Sequence, residues 1–255
     1  MSRRTVGLLT ALLVVLAGGC ATGTDDELAP PPTKTVTATP SQSVAPAPAT
    51  VPVGRGDVSP SDVVWAQGGV LHVGGDQADL APVDIDAFVV VHGGVFVLAD
   101  GELWFTDLAR LRGTGQTEVT GVQVNGDASL LNVVDTRGGT EETQGYDTRT
   151  GKAVRGEVHT LTPEQKRRGP GRFVVTTAPG GVPSVVEAAT GDRVRLKGAP
   201  HHFRLGGWAG DSVFFGVGTD TAGGSRHIVR CDVAAGACTL LDRVSPGVVV
   251  LGSGR

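Results

Sequence analysis

The chain has 255 residues, and its 22 Lys and Arg residues against 26 Asp and Glu residues give a formal net charge of −4. A mildly acidic chain lacks the basic surface that binds phosphate backbones, so we expect no nucleic-acid partner. Hydrophobic residues make up 40% of the chain, which is enough for a core but below the level of a multi-span membrane protein.

Residues 1–20 have the order of an export signal. Two arginines form a positive start, and the apolar residues 5–16 are too few to span a bilayer core of about 30 Å. The ending LAGGC, residues 16–20, resembles the lipobox of bacterial lipoproteins. The resemblance implies cleavage of the Gly19–Cys20 bond and attachment of diacylglycerol (with palmitate as a typical acyl group) to Cys20. The alternative is an ordinary secretory signal with a chance cysteine.

The chain is expected to divide into three parts. Residues 1–19 are the predicted signal peptide, and acylated Cys20 would hold the mature protein on the outer face of the cytoplasmic membrane. Residues 20–57 are the predicted lipidated cysteine and tether, which contains seven of the fifteen prolines and no aromatic residue. Such a segment buries too little apolar surface to offset its ordering entropy, so we expect a disordered stalk, either O-glycosylated or unmodified. Residues 58–255 are the predicted folded domain.

From about residue 62 onward, short runs rich in Val and aromatic residues alternate with Gly-rich turns, which is typical of all-β folds. Clear examples are residues 70–73, 88–91, 95–98, 173–175 and 213–215. One short helix is predicted, with Thr162 as N-cap, Pro163 at the first position and Gln165 completing a capping box. It should end near Arg168.

One local pattern recurs in the domain: a strand ends in an acidic residue, and a turn that usually closes on glycine follows. The copies are anchored at Asp107, at Asp147 with Gly151, at Glu187 with Gly191, and at Asp232 with Gly236. The acid is expected to accept hydrogen bonds from the turn backbone, and the glycine to take the left-handed conformation. The anchors are 40, 40 and 45 residues apart, which is the spacing of four-stranded propeller blades.

This acid-then-glycine hairpin resembles the repeats of bacterial β-propellers of the YVTN and quinoprotein-like kind. The resemblance implies a β-propeller of about five four-stranded blades, with residues 248–251 returning to complete the first blade. A β-sandwich or an open β array is the alternative. The Trp-Asp blade signature and the quinoprotein tryptophan pattern are both missing from the sequence, so no cofactor is implied.

The two remaining cysteines, Cys231 and Cys238, lie on either side of the last anchored turn. Opposed positions of a hairpin are within disulfide range, and an exported chain can be oxidised, so a disulfide is predicted. A zinc site would need four ligands and there is no second cysteine pair, so no metal site is predicted.

No catalytic motif stands out. Residues 210–213, Gly-Asp-Ser-Val, resemble the nucleophile block of GDSL-type hydrolases, but no Asp-x-x-His follows, which favours a plain turn. His72 and His92 each follow an apolar strand and are interpreted as solvated or core-edge residues. The sequence therefore predicts a membrane-anchored extracytoplasmic lipoprotein whose propeller is a non-catalytic platform for a protein or glycan partner. The alternative is a hydrolase or small-ligand sensor with its site at the channel mouth.

Overall fold

The computed structural model describes residues 47–155 and 162–252. Within these ranges the chain forms nineteen β-strands in five antiparallel sheets. Successive side chains of a strand point to opposite faces, so the Val-rich and aromatic runs bury apolar surface against neighbouring sheets. The all-β prediction is confirmed.

The sheets follow one another along the chain. Sheet 1 contains β1 (Val64–Gln67), β2 (Val70–Val73) and β3 (Asp76–Asp79). Sheet 2 contains β4 (Ala87–Val91), β5 (Gly94–Ala99), β6 (Glu102–Thr106) and β7 (Leu111–Gln116). Sheet 3 contains β8 (Val119–Val124), β9 (Leu130–Asp135), β10 (Glu142–Asp147) and β11 (Ala153–Val154). Sheet 4 contains β12 (Phe173–Thr177), β13 (Pro183–Glu187) and β14 (Arg193–Val194). Sheet 5 contains β15 (His201–Trp208), β16 (Val213–Thr219), β17 (Arg226–Asp232) and β18 (Ala237–Arg243).

The last strand, β19 (Val250–Leu251), returns to sheet 1 and pairs with β1, so that Leu251 lies opposite Trp65. The strand order of sheet 1 is therefore β19-β1-β2-β3. The predicted return of the last run to the first blade is confirmed. A chain whose end completes its first sheet covers an edge that would otherwise be open, as in a β-propeller.

Buried apolar clusters join the sheets face to face. Each cluster contains side chains from two neighbouring sheets, represented by Leu71 and Phe88 for sheets 1 and 2, Phe105 and Leu131 for sheets 2 and 3, Phe173 and Phe214 for sheets 4 and 5, and Trp65 and Phe215 for sheets 5 and 1. The sheets therefore stack in the order 4, 5, 1, 2, 3, and this close packing fixes their relative positions.

One backbone hydrogen bond recurs at the edge of the sheets that carries the acid-anchored turns, here called the turn edge. In four sheets, the residue directly after the third strand of the blade pattern donates its backbone N–H to a carbonyl oxygen. That oxygen belongs to the residue directly before the second strand. The pairs are Gly74 to Val63 (3.0 Å), Thr148 to Ser129 (2.9 Å), Ala188 to Arg172 (2.7 Å) and Val233 to Ser212 (2.8 Å). This bond aligns these four sheets residue by residue.

Sheet 4 departs from the prediction of four strands per blade. The recurrent bond from Ala188 to Arg172 makes β12 and β13 equivalent to the second and third strands of the other sheets. The described residues thus supply no inner strand to sheet 4. The chain between β11 and β12 contains a helix, α1 (Pro163–Arg168), and residues 156–161, which lie outside the described ranges.

The helix α1 begins as predicted. The Thr162 hydroxyl accepts from the Gln165 N–H at 3.2 Å, and the Gln165 side chain accepts from the Thr162 N–H at 2.7 Å, which completes the capping box. The indole of Trp208 donates to the carbonyl of Lys166 at 3.0 Å and ties the helix to sheet 5. Among the described residues, no helix has the length and apolar character needed to cross a membrane.

The end of the predicted tether is part of the folded domain. Ala153 N donates to Ala49 O at 3.1 Å and Val51 N donates to Gly151 O at 2.7 Å, so residues 49–51 pair with the outer edge of sheet 3. Val51 is 5% exposed and belongs to the cluster between sheets 2 and 3. Residues 48–58 are here called the N-terminal segment.

The N-terminal segment then crosses to sheet 2. Gly56 N donates to Gly93 O at 3.1 Å, which replaces in sheet 2 the recurrent bond that the other sheets make internally. Gly54 packs so closely that a Cβ there would lie 1.9 Å from Gly93 O. The prediction of a disordered tether is therefore wrong for residues 47–57, while residues 20–46 lie outside the described residues.

Candidate functional site

Three of the acidic anchors, Asp107, Asp147 and Asp232, cap their turns with their side chains, as predicted. Asp147 Oδ1 accepts from the N–H of Arg149 (3.0 Å), the N–H of Thr150 (2.7 Å) and the Thr150 hydroxyl (2.9 Å). These bonds, the Thr150 N–H first, hold the pKa of Asp147 below its ordinary value. Gly151 closes the turn at φ +70°. Asp232 Oδ1 accepts from the Ala235 N–H at 3.0 Å, and Gly236 has φ +64°.

The Asp107 carboxylate both caps its turn and forms an ion pair, whereas the Glu187 carboxylate does not cap its turn. Asp107 accepts from the Arg110 N–H at 3.0 Å and forms an ion pair with Arg112 at 2.6 Å, and its turn has Leu108 at φ +66° instead of a glycine. Glu187 accepts the Gly191 N–H through its backbone carbonyl at 2.8 Å, with Gly191 at φ +76°. Its carboxylate is directed to Arg172 at 3.4 Å instead of into the turn.

The predicted disulfide is present between Cys231 and Cys238, with an S–S distance of 2.08 Å. The two residues are direct cross-strand partners on β17 and β18. Cys231 is fully buried in the cluster between sheets 4 and 5, so the bond connects the outer hairpin of sheet 5 to the core.

The residues considered for chemistry do not converge. His72 stacks on Trp65 with ring centroids 3.7 Å apart, and burial lowers its pKa although Asp242 acts in the opposite direction. The Ser212 carbonyl accepts the recurrent bond, and Asp211 is exposed in the same turn. Within residues 47–155 and 162–252, no group of three or more His, Cys, Asp and Glu residues could hold a metal ion.

A cleft of about 520 Å³ opens at the turn edge between sheets 4 and 5. It is here called the sheet 4–5 cleft. Its apolar residues include Phe173, Val194 and Val233, of which Phe173 is 8% and Val233 is 4% exposed. The residues that line it are Gly171, Arg172, Phe173, Glu187, Val194, Asp211, Ser212, Val233 and Ala234. A cleft of this size lies within the range of ligand-binding sites.

Charged side chains surround this apolar floor. The Arg172 guanidinium lies 3.4 Å from Glu187 and 5.1 Å from the centre of the Phe173 ring, so it is held at the rim by both neighbours. The Asp211 carboxylate has no ion-pair partner among the described residues. A ligand in the cleft would therefore meet an apolar floor, one neutralised ion pair and one available negative charge.

A second groove of about 760 Å³ lies between residues 223–226 and 243–247. Its walls are mainly Gly, Ser and Pro, with Arg226 and Arg243 as the charged groups. The Arg226 guanidinium donates to the Gly247 carbonyl at 3.0 Å. Val244 is the one branched apolar residue of this groove, and its lining is mostly polar, whereas the lining of the sheet 4–5 cleft is mostly apolar.

Sequence reasoning identified individual residues of the cleft but did not predict that they line a cleft. Glu187 was assigned as a turn anchor, and Asp211 and Ser212 as a turn. The cleft forms because Val233 and Phe173, which are 60 residues apart, are brought to one junction by sheet stacking. No local pattern carries that information. The predicted cleavage and lipidation residues, Gly19 and Cys20, lie outside the described residues.

No family model matches the sequence, and no curated protein matches it. Among solved structures, TolB from Acinetobacter baumannii is similar with 12% identity, a TM-score of 0.32, and coverage of 72% of this chain and 53% of that one. A putative TolB from Agrobacterium tumefaciens has 13% identity, a TM-score of 0.28, and coverage of 73% and 71%. The computationally designed Ika8 protein has 18% identity, a TM-score of 0.28, and coverage of 77% and 66%. The chain spans about half the length of the Acinetobacter protein. At such TM-scores, the assignment of the fold depends on the sheet topology described above.

Proposed function

We propose that this chain is a lipid-anchored extracytoplasmic protein that binds a protein partner at the sheet 4–5 cleft and does so without catalysis. The observation that carries the proposal is the cleft itself, an apolar floor enclosed by charged side chains at an accessible edge of the domain. Protein interfaces have the same anatomy, with an apolar centre and a polar rim.

The composition of the cleft favours a protein over a glycan. Recognition of a sugar ring usually needs an aromatic face that is open to the ligand. Phe173 is the aromatic lining residue, and its side chain is 8% exposed beneath the Arg172 guanidinium. The branched side chains of Val194 and Val233 beside it suit the apolar side chains of a polypeptide.

The same lining supports binding without chemistry. Ser212 provides the hydroxyl group of the cleft, and the nine lining residues include no His or Lys that could act as its base. A serine hydroxyl is a weak nucleophile without an adjacent base. The carboxylates present are engaged with Arg172 or face solvent.

The anchoring part of the proposal is supported by the lipobox resemblance at Cys20. It is tested by expressing the full chain and a Cys20→Ser variant with labelled palmitate. The unchanged chain should take up label and sediment with membranes, whereas the variant should do neither. A Cys20→Ser chain that stays in the membrane fraction would show that another segment holds it.

The binding part is tested by placing a photoreactive amino acid at Ala234, which lines the cleft. The matched control is the same amino acid at Ala235, which is also exposed but does not line the cleft. We expect one discrete protein adduct from position 234 and none from 235. The partner is then identified by mass spectrometry and tested again with purified proteins. Equal adducts from both positions, or a glycan as the sole adduct, would contradict the proposal.

A further inference from the structure

The N-terminal segment shows how this fold receives an extended peptide at its turn edge. It starts on sheet 3, where Val51 N donates to Gly151 O at 2.7 Å. It ends on sheet 2, where Gly56 N donates to Gly93 O at 3.1 Å. Between these points, residues 52–55 bridge the junction of sheets 2 and 3, with Val53 beside Gly151 and Gly54 against Gly93.

The sheet 4–5 cleft occupies the equivalent place at its own junction. The recurrent backbone bond and the strand registers give the alignment between the two junctions. On this alignment the matching pairs are Arg172 with Gly93, Glu187 with Asp107, Ser212 with Ser129, and Val233 with Thr148. Two lining positions of the cleft, Arg172 and Glu187, therefore correspond to Gly93 and Asp107, which lie against Gly54 and Gly56.

Part of the equivalent path is already occupied. Lys197 N donates to Gly236 O at 2.9 Å, and Cys238 N donates to Lys197 O at 2.8 Å. On sheet 3 the equivalent bonds run from Val51 N to Gly151 O and from Ala153 N to Ala49 O. Lys197 thus stands where residues 49–51 stand, but it runs parallel to Ala237, whereas Thr50 runs antiparallel to Lys152. The Arg195 carbonyl lies near Gly236, which matches Gly151, so the cleft is the part of the equivalent path beyond this point.

Resting on the proposed function, we propose that the ligand of the sheet 4–5 cleft is a short extended segment of a polypeptide that lies across sheets 4 and 5 as residues 52–56 lie across sheets 2 and 3. The segment carries a branched apolar side chain and a basic side chain.

The chemistry of the lining sets these two requirements. The floor of Phe173 and Val233 offers an apolar surface to a branched side chain of the ligand. Asp211 has no ion-pair partner among the described residues and attracts a cation at the rim. The Arg172 carbonyl already accepts the Ala188 N–H, whereas the matching Gly93 carbonyl accepts the Gly56 N–H of the N-terminal segment. Binding of a ligand in the cleft therefore depends more on its side chains than docking of the N-terminal segment does.

The chain supplies its own probe, a synthetic peptide with the sequence of residues 51–57, Val-Pro-Val-Gly-Arg-Gly-Asp. Its binding to the full chain is followed by fluorescence anisotropy. We expect saturable binding that Ala234→Trp weakens by about tenfold or more by filling the cleft, whereas Ala235→Trp leaves it unchanged. Asp211→Asn should weaken binding by about threefold and should make it less dependent on salt. Peptides with Val53→Asp or Arg55→Gln should bind more weakly.

The location is mapped with photo-leucine in place of Val53 of the peptide, followed by mass spectrometry. Crosslinks to residues 171–194 and 211–234 support the inference. Crosslinks to sheets 2 and 3, equal binding to the Ala234→Trp chain, or no binding would overturn it. If the peptide fails while photocrosslinking from position 234 still identifies a specific protein, the proposed function stands and the extended-peptide ligand is wrong. If neither experiment gives a specific product, both are wrong.

Discussion

Replacing Val51 by alanine tests whether the N-terminal segment is part of the fold. Val51 is 5% exposed in the cluster that contains Phe105, Leu131 and Tyr146 of sheets 2 and 3. The substitution removes two methyl groups, worth about 0.8 kcal/mol each, or about 1.6 kcal/mol in total. Incomplete collapse of the cavity adds to this loss, so we expect a decrease of about 2–2.5 kcal/mol in the free energy of unfolding.

The assay is urea unfolding of the full chain, followed by tryptophan fluorescence. Val248→Ala is the matched control, because Val248 is 79% exposed and its truncation should change the free energy by less than about 0.5 kcal/mol. A Val51→Ala midpoint that coincides with that of Val248→Ala would refute the docking of the segment. An unchanged slope with a lower midpoint would show that the loss lies in stability alone.

Three further changes probe other contacts. Tyr146→Phe should lower the free energy of unfolding by about 1–3 kcal/mol in urea titrations, because the buried Gln116 amide donates to the Tyr146 hydroxyl at 3.1 Å and would lose its partner. Burial lowers the pKa of His72, so the unfolded chain binds the proton more readily and stability should fall as the pH drops below about 6.5. His72→Phe should reduce the difference in Tm between about pH 7.5 and about pH 5, and an unchanged difference would contradict the assignment. Reduction of the Cys231–Cys238 disulfide, which closes a loop with a sequence separation of 7, should cost about 2.4 kcal/mol and lower the Tm by about 5–10 °C. The Tm of a chain with both cysteines replaced by alanine should not respond to reductant.

The features that could be predicted from the sequence are those encoded by neighbouring residues. The strand at residues 95–98 has the local signature of branched and aromatic side chains between turns, and the structure places it in β5. The capping box at Thr162 needs only three following residues. The Cys231–Cys238 pairing needs only a short hairpin. Each of these signals is complete within about ten residues, which is why each could be found without knowledge of the packing.

The features that escaped prediction depend on contacts between distant parts of the chain. The composition around Val51 is that of a tether, and only the cluster provided by sheets 2 and 3 makes its burial favourable. Glu187 occupies an anchor position in the sequence, but Arg172 draws its carboxylate away from the turn. That the described residues give sheet 4 three strands is likewise hidden, because the spacing between Asp147 and Glu187 is the same as that between Asp107 and Asp147.

Both ends of the described domain complete sheets that other parts of the chain leave unfinished. β19 supplies the first strand of sheet 1. The N-terminal segment supplies sheet 2 with a hydrogen-bond donor, Gly56 N, to Gly93 O. The turn of sheet 2 does not supply this donor itself, because Leu108 N bonds to the Thr106 hydroxyl. The cluster between sheets 4 and 5 receives neither end of the described domain. Lys197 fills one part of the equivalent position there, and the rest is the cleft. Where the fold uses peptide segments to finish its sheets, an equivalent position without one is where the proposed polypeptide ligand would need least rearrangement of the domain.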